Sequence, residues 1–303
     1  MQPAADRRLK VAIALGAVYI LWGSSYLATK VMVTEEPPLL AAGCRFVLAA
    51  VILAVIAWFR GERIPADGEE WRTILLCALT NVIVSNGCNV VAMQHVPSNL
   101  SALLNATPAL WIAWLGTLGP RPVPLGGSAR LGLAIGFVGV ILILLPKGGL
   151  LPTNFLWQLV ILLGCFGWSV GTIVYRNAAP RTPFMMFTAL QMGAGGACLL
   201  ALAPLLGEPY ALSFAPAGLA AMLWLTVMSS CVAYTAYAYL VNHTSPAVVG
   251  TYGYVNPAIA ALIGWLVLGE TLTAMQVAGT AVIFIAVALV TGYLGRRRLQ
   301  PAA

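Results

Sequence analysis

The chain has 303 residues, of which 60% are hydrophobic and 8% charged, with a formal net charge of +7. That charged share is roughly a third of what a soluble globular domain carries, which excludes water as the main solvent. Hydrocarbon cannot hydrogen-bond a bare backbone, so the chain must span as helices or a closed barrel, and apolar runs of about 20 residues without strand-like alternation select an all-α membrane protein.

Ten transmembrane helices are predicted, near residues 9–33, 39–59, 71–94, 98–118, 128–146, 154–176, 183–206, 216–241, 246–268 and 273–294. The first follows Arg7, Arg8 and Lys10 as a signal peptide would, but it is too long for a signal core and lacks an A-x-A site, so it is expected to be retained. With a cytoplasmic N-terminus, Arg7, Arg8, Lys10, Arg60, Arg63, Arg72, Arg121, Arg130, Arg176, Arg181, Arg296, Arg297 and Arg298 all fall inside, and only Lys147 falls outside. Lys/Arg in short loops orient a membrane protein, so both termini are expected in the cytoplasm with an even span count. Cations scattered over short loops form no solvated patch, which argues against nucleic acid. All six cysteines fall inside predicted spans without a CxxC pair or clustered His, so they read as small packers; no metal and no cofactor is expected.

The two halves of the chain repeat. Trp22, Lys30, Pro37 and Arg45 recur as Trp168, Arg176, Pro183 and Gln191 at an offset of 146, and Pro97 and Pro108 recur as Pro246 and Pro257 at an offset of 149. The expected division is therefore 1–150 and 151–303, two five-helix repeats in one integrated transmembrane domain. Five is odd, so the second copy enters the membrane upside down. Such a 5+5 inverted-topology repeat places a substrate site near the midplane and lets one half rock against the other.

The strings WGSSYLATK, AAGCRFVLAA and NPAIAALIGWLVLGETLTAMQVAGTAV resemble EamA-type members of the drug/metabolite transporter superfamily over about residues 10–294. Among relatives the chain looks most like the YddG-type aromatic amino acid exporters of bacterial inner membranes. The likeness implies a 5+5 fold around a central cavity, a bacterial inner-membrane location and export as the direction of transport. One departure is that the first half has Leu118, Gly119 and Pro120 where the second has the L-G-E turn ending at Glu270.

No Asp or Glu falls within a predicted span, so facilitated transport is expected rather than carboxylate-based ion coupling. Two cations do: Lys30 and Arg45. Each could grip a substrate oxyanion, or could pair with Glu35, Glu36 or helix-end carbonyls. Candidate substrate-binding residues at the predicted midplane are Trp22, Ser25, Tyr26, Asn81, Ser85, Asn105, Trp111, Trp168, Tyr234, Tyr252 and Asn256, within a wider polar and aromatic inventory that includes Asn86, Asn89, Ser101, Ser230, Tyr237 and Tyr254. Apolar and aromatic walls with a few hydrogen-bonding groups suit a neutral or zwitterionic metabolite such as an amino acid. The same residue types also join membrane helices and form interfacial belts. Trp22 and Trp168, at equivalent depths, are expected to face each other across the repeat axis. Pro108 and Pro257 are candidate gating hinges because each removes a backbone donor mid-span. Gly132, Gly136, Gly139 and Gly279 are assigned to helix packing, a monomer is expected, and a homodimer would form through that glycine face. The expected partners are thus a small-molecule substrate and the lipid bilayer. Within transport, drugs, nucleosides or sugars remain alternative cargoes. From another class, an intramembrane enzyme would need an acid, base or nucleophile at depth, and no such arrangement is present in the sequence.

Overall fold

The computed structural model describes residues 4–118, 120, 122–144, 154–244, 248 and 251–298. Gly119, Arg121, Lys147 and Pro246 lie outside the described residues, as do the side chains of Arg7, Tyr254, Arg296, Arg297 and Arg298. Helix α1 is Ala4–Glu35 and α2 is Pro38–Phe59; α3 runs through Gly68–Cys77, a π-helical stretch Ala78–Asn86 and Gly87–Met93. Helix α4 is broken into Ser98–Leu104 and Pro108–Leu115, followed by α5 (Gly127–Leu144), α6 (Phe155–Ala178) and α7 (Phe184–Leu205). Helix α8 joins Pro216–Trp224, a second π stretch Leu225–Val232 and Ala233–His243; α9 is Tyr252–Leu268 and α10 is Ala274–Arg298. Among the described residues seven helices are long and apolar enough to cross a membrane, and Val255–Leu268 and Ala274–Val290 form shorter apolar helices.

The exposed faces are apolar. Leu48, Val51, Ile52, Val55, Ile56 and Trp58 on α2 all point outward, which in water would be a large sticky patch and in hydrocarbon is the lipid-facing surface. The interior splits into one core built around α2 and α7 and another built around α5 and α10 with parts of α4 and α6. Small residues make both seams close. A Cβ on Gly196 would sit 3.1 Å from the Gly43 carbonyl, and Cβ atoms on Gly139 and Gly279 would each lie within 2.9 Å of the other's carbonyl oxygen. The glycines of α5 and α10 therefore face each other inside one chain. This is the helix-packing role that the sequence assigned to them.

The expectation of an unbroken α4 is revised. The unbroken span over 98–118 is interrupted at Asn105–Thr107, where Ala106 N and Thr107 N fall back to carbonyls three residues earlier, each at 3.1 Å, and Pro108 opens the next helix without needing a donor. Pro257 instead sits inside α9, near its start. The matched prolines thus do different things.

Packing is reciprocal between the halves. Helix α2 packs along α7 and α5 along α10; α1 lies against α8 and α9 as α6 lies against α3 and α4; α2 meets the π stretch of α8 as α7 meets that of α3. The carboxylates at the helix ends follow the same exchange. Glu208, after α7, accepts from Leu39 N and Leu40 N at the start of α2 at 3.0 and 3.1 Å, and Glu62, after α2, accepts from Met186 N at the start of α7 at 3.0 Å. Leu40 and Met186 differ by 146 positions, as do Glu62 and Glu208.

Candidate functional site

Where α1, α8 and α9 converge, the Trp22 ring packs 5.3 Å from Tyr234, 5.3 Å from Tyr237 and 5.2 Å from Tyr252, measured between centroids. Its indole donates to Ser229 O at 3.1 Å on the π stretch of α8. One turn earlier on α1, Tyr19 and Thr251 share a hydroxyl hydrogen bond of 2.5 Å. Edge-on aromatic pairs contribute about 0.5–1.5 kcal/mol each beyond burial, so this group is a fixed wall rather than a loose collection. Trp168 on α6 and Tyr26 on α1 both lie close enough to the Tyr252 hydroxyl to act on it electrostatically. Of the two indoles, Trp22 packs on the Tyr252 ring. Trp22, Tyr26, Trp168, Tyr234 and Tyr252 are all half-buried.

A second wall, of amides and hydroxyls, stands on α3, α4 and α6. Asn89 Oδ1 accepts from Asn105 Nδ2 at 2.9 Å and from Ser101 Oγ at 3.4 Å, and Asn89 Nδ2 donates to Ser85 O. Ser85 itself is buried. Cys165 donates to Asn105 Oδ1 at 3.6 Å, and α1 packs against both the Gly87–Met93 and Ser98–Leu104 segments, so the amide wall adjoins the aromatic one along α1. Close approach of α6 to α3 makes this possible, because a Cβ at Gly164 would lie 2.9 Å from Ser85 O and one at Gly171 would overlap Asn81 Oδ1.

Some predicted residues stand apart from both walls. Ser25 donates back to Trp22 O at 2.6 Å, a bond within its own helix. Asn81 donates to Gln191 Oε1 at 3.4 Å, between the π stretch of α3 and α7. Trp111 packs with Trp114, Phe137 and Phe166, on the side of α4 that meets α5. Asn256 is buried with an unpartnered Oδ1, and its backbone carbonyl comes close to Gly23 of α1. Among the described residues no group of His, Cys, Asp and Glu could hold a metal ion.

The cations behave differently from the pairing with Glu35 or Glu36 allowed by the sequence. Lys30 donates to Met93 O at 2.6 Å and to Gln94 O and Val96 O at 3.3 Å, serving the open C-terminal end of α3. Glu36 accepts from Ser213 N and Ser213 Oγ at 2.7 and 2.8 Å instead. Arg45 donates to Ser230 on the π stretch of α8. Cys165 and Gln191 were not among the candidate binding residues, whereas the sequence offers Arg45 as an oxyanion grip or a structural cation. The signal for Gln191 was the repeat itself, since Arg45 and Gln191 are equivalent positions and each bonds to a π stretch of the opposite half.

The sequence profile of the EamA-like transporter family matches this chain twice, over residues 9–145 and 155–292. The chain is 35% identical over 286 residues to a protein of Escherichia coli (strain K12) named as the uncharacterized inner membrane transporter YedA, covering 92% of this chain and 89% of that one. It is 28% identical over 285 residues to the protein PecM of Dickeya dadantii (strain 3937), covering 93% of both. A solved crystal structure superposes with a TM-score of 0.67 at 20% identity, over 96% of this chain and 99% of that chain, a likeness of fold. Twofold match, full-length relatives and helical architecture agree that this chain is a membrane-embedded small-molecule transporter and belongs to the EamA-like transporter family.

Proposed function

We propose that the chain carries neutral or zwitterionic amino acids, aromatic ones foremost, out of a bacterial cell across the inner membrane by facilitated alternating access. The observation that carries this reading is the junction, along α1, of an aromatic wall (Trp22, Tyr234, Tyr237, Tyr252) with an amide wall (Asn89, Asn105). An amino acid with an apolar ring needs both surfaces: stacking for the ring and hydrogen bonds for the backbone-like groups. The two halves act as inverted five-helix repeats, residues 1–150 and 151–303, and their reciprocal packing supports motion of one against the other about an axis in the membrane plane. The substrate lies between Trp22 and Trp168. Export as the direction rests on the family resemblance, and the inner-membrane location is supported by the YedA relative.

Coupling to a proton or sodium gradient commonly uses an intramembrane carboxylate. Here Glu36, Glu62, Glu70, Glu208 and Glu270 are all engaged by backbone amides at helix ends. Transport is therefore expected to follow the substrate gradient alone. In liposomes, uptake of labelled phenylalanine and tryptophan should proceed equally with and without a pH gradient, and Trp168→Ala should lower it about tenfold, the equivalent of roughly 1.4 kcal/mol of lost contact. Uptake that demands a pH gradient would overturn facilitation. Flux of a nucleoside or sugar without amino-acid flux would move the cargo to another class.

A further inference from the structure

Arg45 is 6% exposed, on α2, in the apolar interior. Its Nε and Nη2 both donate to the same neutral atom, Ser230 Oγ, each at 3.2 Å, and its Cζ stands 4.6 Å from the Phe46 ring centroid. Among the described residues the ion pairs are Arg60–Glu62, Arg181–Asp67 and Arg181–Glu70, and Arg45 has no carboxylate partner. A guanidinium carries five N–H donors. Ser230 takes two of them, and among the described residues neither hydrogen on Nη1 has a protein acceptor. A buried cation whose charge is met only by a hydroxyl and a ring face is costly in a bilayer interior, and cations at such depth are rare and mark substrate or ion paths by default.

Its surroundings say where that anion would come from. Its acceptor Ser230 follows Ser229, whose carbonyl takes the Trp22 indole, and Tyr234, 5.3 Å from Trp22, stands four residues further along α8, so the guanidinium borders the aromatic wall. The equivalent position in the other half holds Gln191, bonded to Asn81, so the matching place there is neutral. The interior is thus charged at one end of its two-fold arrangement and uncharged at the other. We propose that Arg45, oriented by Ser230, is the anchor for the carboxylate of the transported molecule. The anchor rests on the aromatic site described above but not on the cargo being an amino acid. Two parallel N–H bonds from the guanidinium to a carboxylate replace the missing counter-charge, and the ring of the same molecule stacks towards Trp22 and Tyr234.

The test is ligand-dependent thermal stabilisation of the purified full chain with phenylalanine, phenylalaninamide and phenylpyruvate, for the unaltered protein, Arg45→Gln, Arg45→Lys and Ser230→Ala. The two acids should bind at least tenfold more tightly than the amide. Arg45→Gln should erase that preference, with Arg45→Lys and Ser230→Ala keeping part of it. Arg45→Gln retaining the full acid preference would overturn the anchor, as would an unaltered protein that never prefers an acid to the amide. Arg45-dependent binding of phenylpyruvate without phenylalanine binding would sink the amino-acid cargo and leave the anchor standing. Should Arg45→Gln fail to fold, phenylglyoxal modification of the unaltered protein decides: the adduct on Arg45, mapped by mass spectrometry, should form without ligand and be blocked by the acid but not the amide. An Arg45 that never reacts does not border an open site, and the anchor falls.

Discussion

Five of the seven glutamates, Glu36, Glu62, Glu70, Glu208 and Glu270, accept from backbone amides. Glu270 accepts from Ser98 N at 2.7 Å, Ser98 Oγ at 2.8 Å and Asn99 N at 2.9 Å, meeting the first donors of α4 after Pro97. Glu70 accepts from Arg181 N and Thr182 N, and from the Thr182 hydroxyl, before α7. Where a helix begins at a proline, no side chain of its own can cap it, and the first turn has free donors and a positive dipole end. A carboxylate from elsewhere supplies both the acceptor and the charge. Glu270→Ala should therefore cost about 1–3 kcal/mol, with Glu270→Gln losing less because it keeps one acceptor. Thermal unfolding in detergent measures both, and an unchanged melting temperature for Glu270→Ala would contradict the capping role.

Helices here approach at two distances, and glycine decides which. Against the Gly139–Gly279 contact, any side chain would meet the opposite backbone at 2.9 Å or less, so Gly139→Leu should destabilise α5 against α10 by about 1–3 kcal/mol or prevent assembly. A methyl group added at Gly16 in α1 would meet nothing within 4 Å, so Gly16→Ala should leave the fold intact and add up to about 1 kcal/mol through helix propensity. Comparing the melting temperatures of the two variants separates packing from propensity. The π stretches of α3 and α8 are the other element-scale feature. Each inserts wider turns at matching places, 78 and 225, and each presents a hydrogen-bonding group, Asn81 or Ser230, to the second helix of the opposite half. Wider turns of this kind recur at functional sites, because they re-aim side chains that a regular helix would point elsewhere.

At the scale of the molecule, exchange of the two halves leaves the main helix pairings unchanged, and an inverted repeat requires both termini on one side with the link between halves on the other. Alkaline phosphatase fused after residue 148 should be active, and the same enzyme fused after residue 298 should be inactive while a fluorescent protein there glows. Activity at both places would break the inverted arrangement. Under the proposed alternating access, the aromatic and amide walls would separate at alternate ends while the α2–α7 and α5–α10 seams, closed by glycine, hold the halves together.

Composition and apolar run length by themselves determined an all-helical membrane protein, because hydrocarbon lets a backbone satisfy its amides only in helices or a closed barrel, and runs of about 20 apolar residues without alternation exclude the barrel. The repeat offsets identified Trp22 and Trp168, and Arg45 and Gln191, as equivalent positions, because a duplicated unit keeps its spacing. Tertiary structure alone decided what each polar residue does. Ser25 bonds back to its own helix and Trp111 turns towards α5, and no periodicity distinguishes these from Asn105, whose amide meets Asn89 sixteen residues away. Nor could spacing show that Glu36 would take Ser213 ahead of α8 instead of a cation. Which acceptor a buried cation finds depends on which helix is packed against it, and that is settled only when the two halves come together.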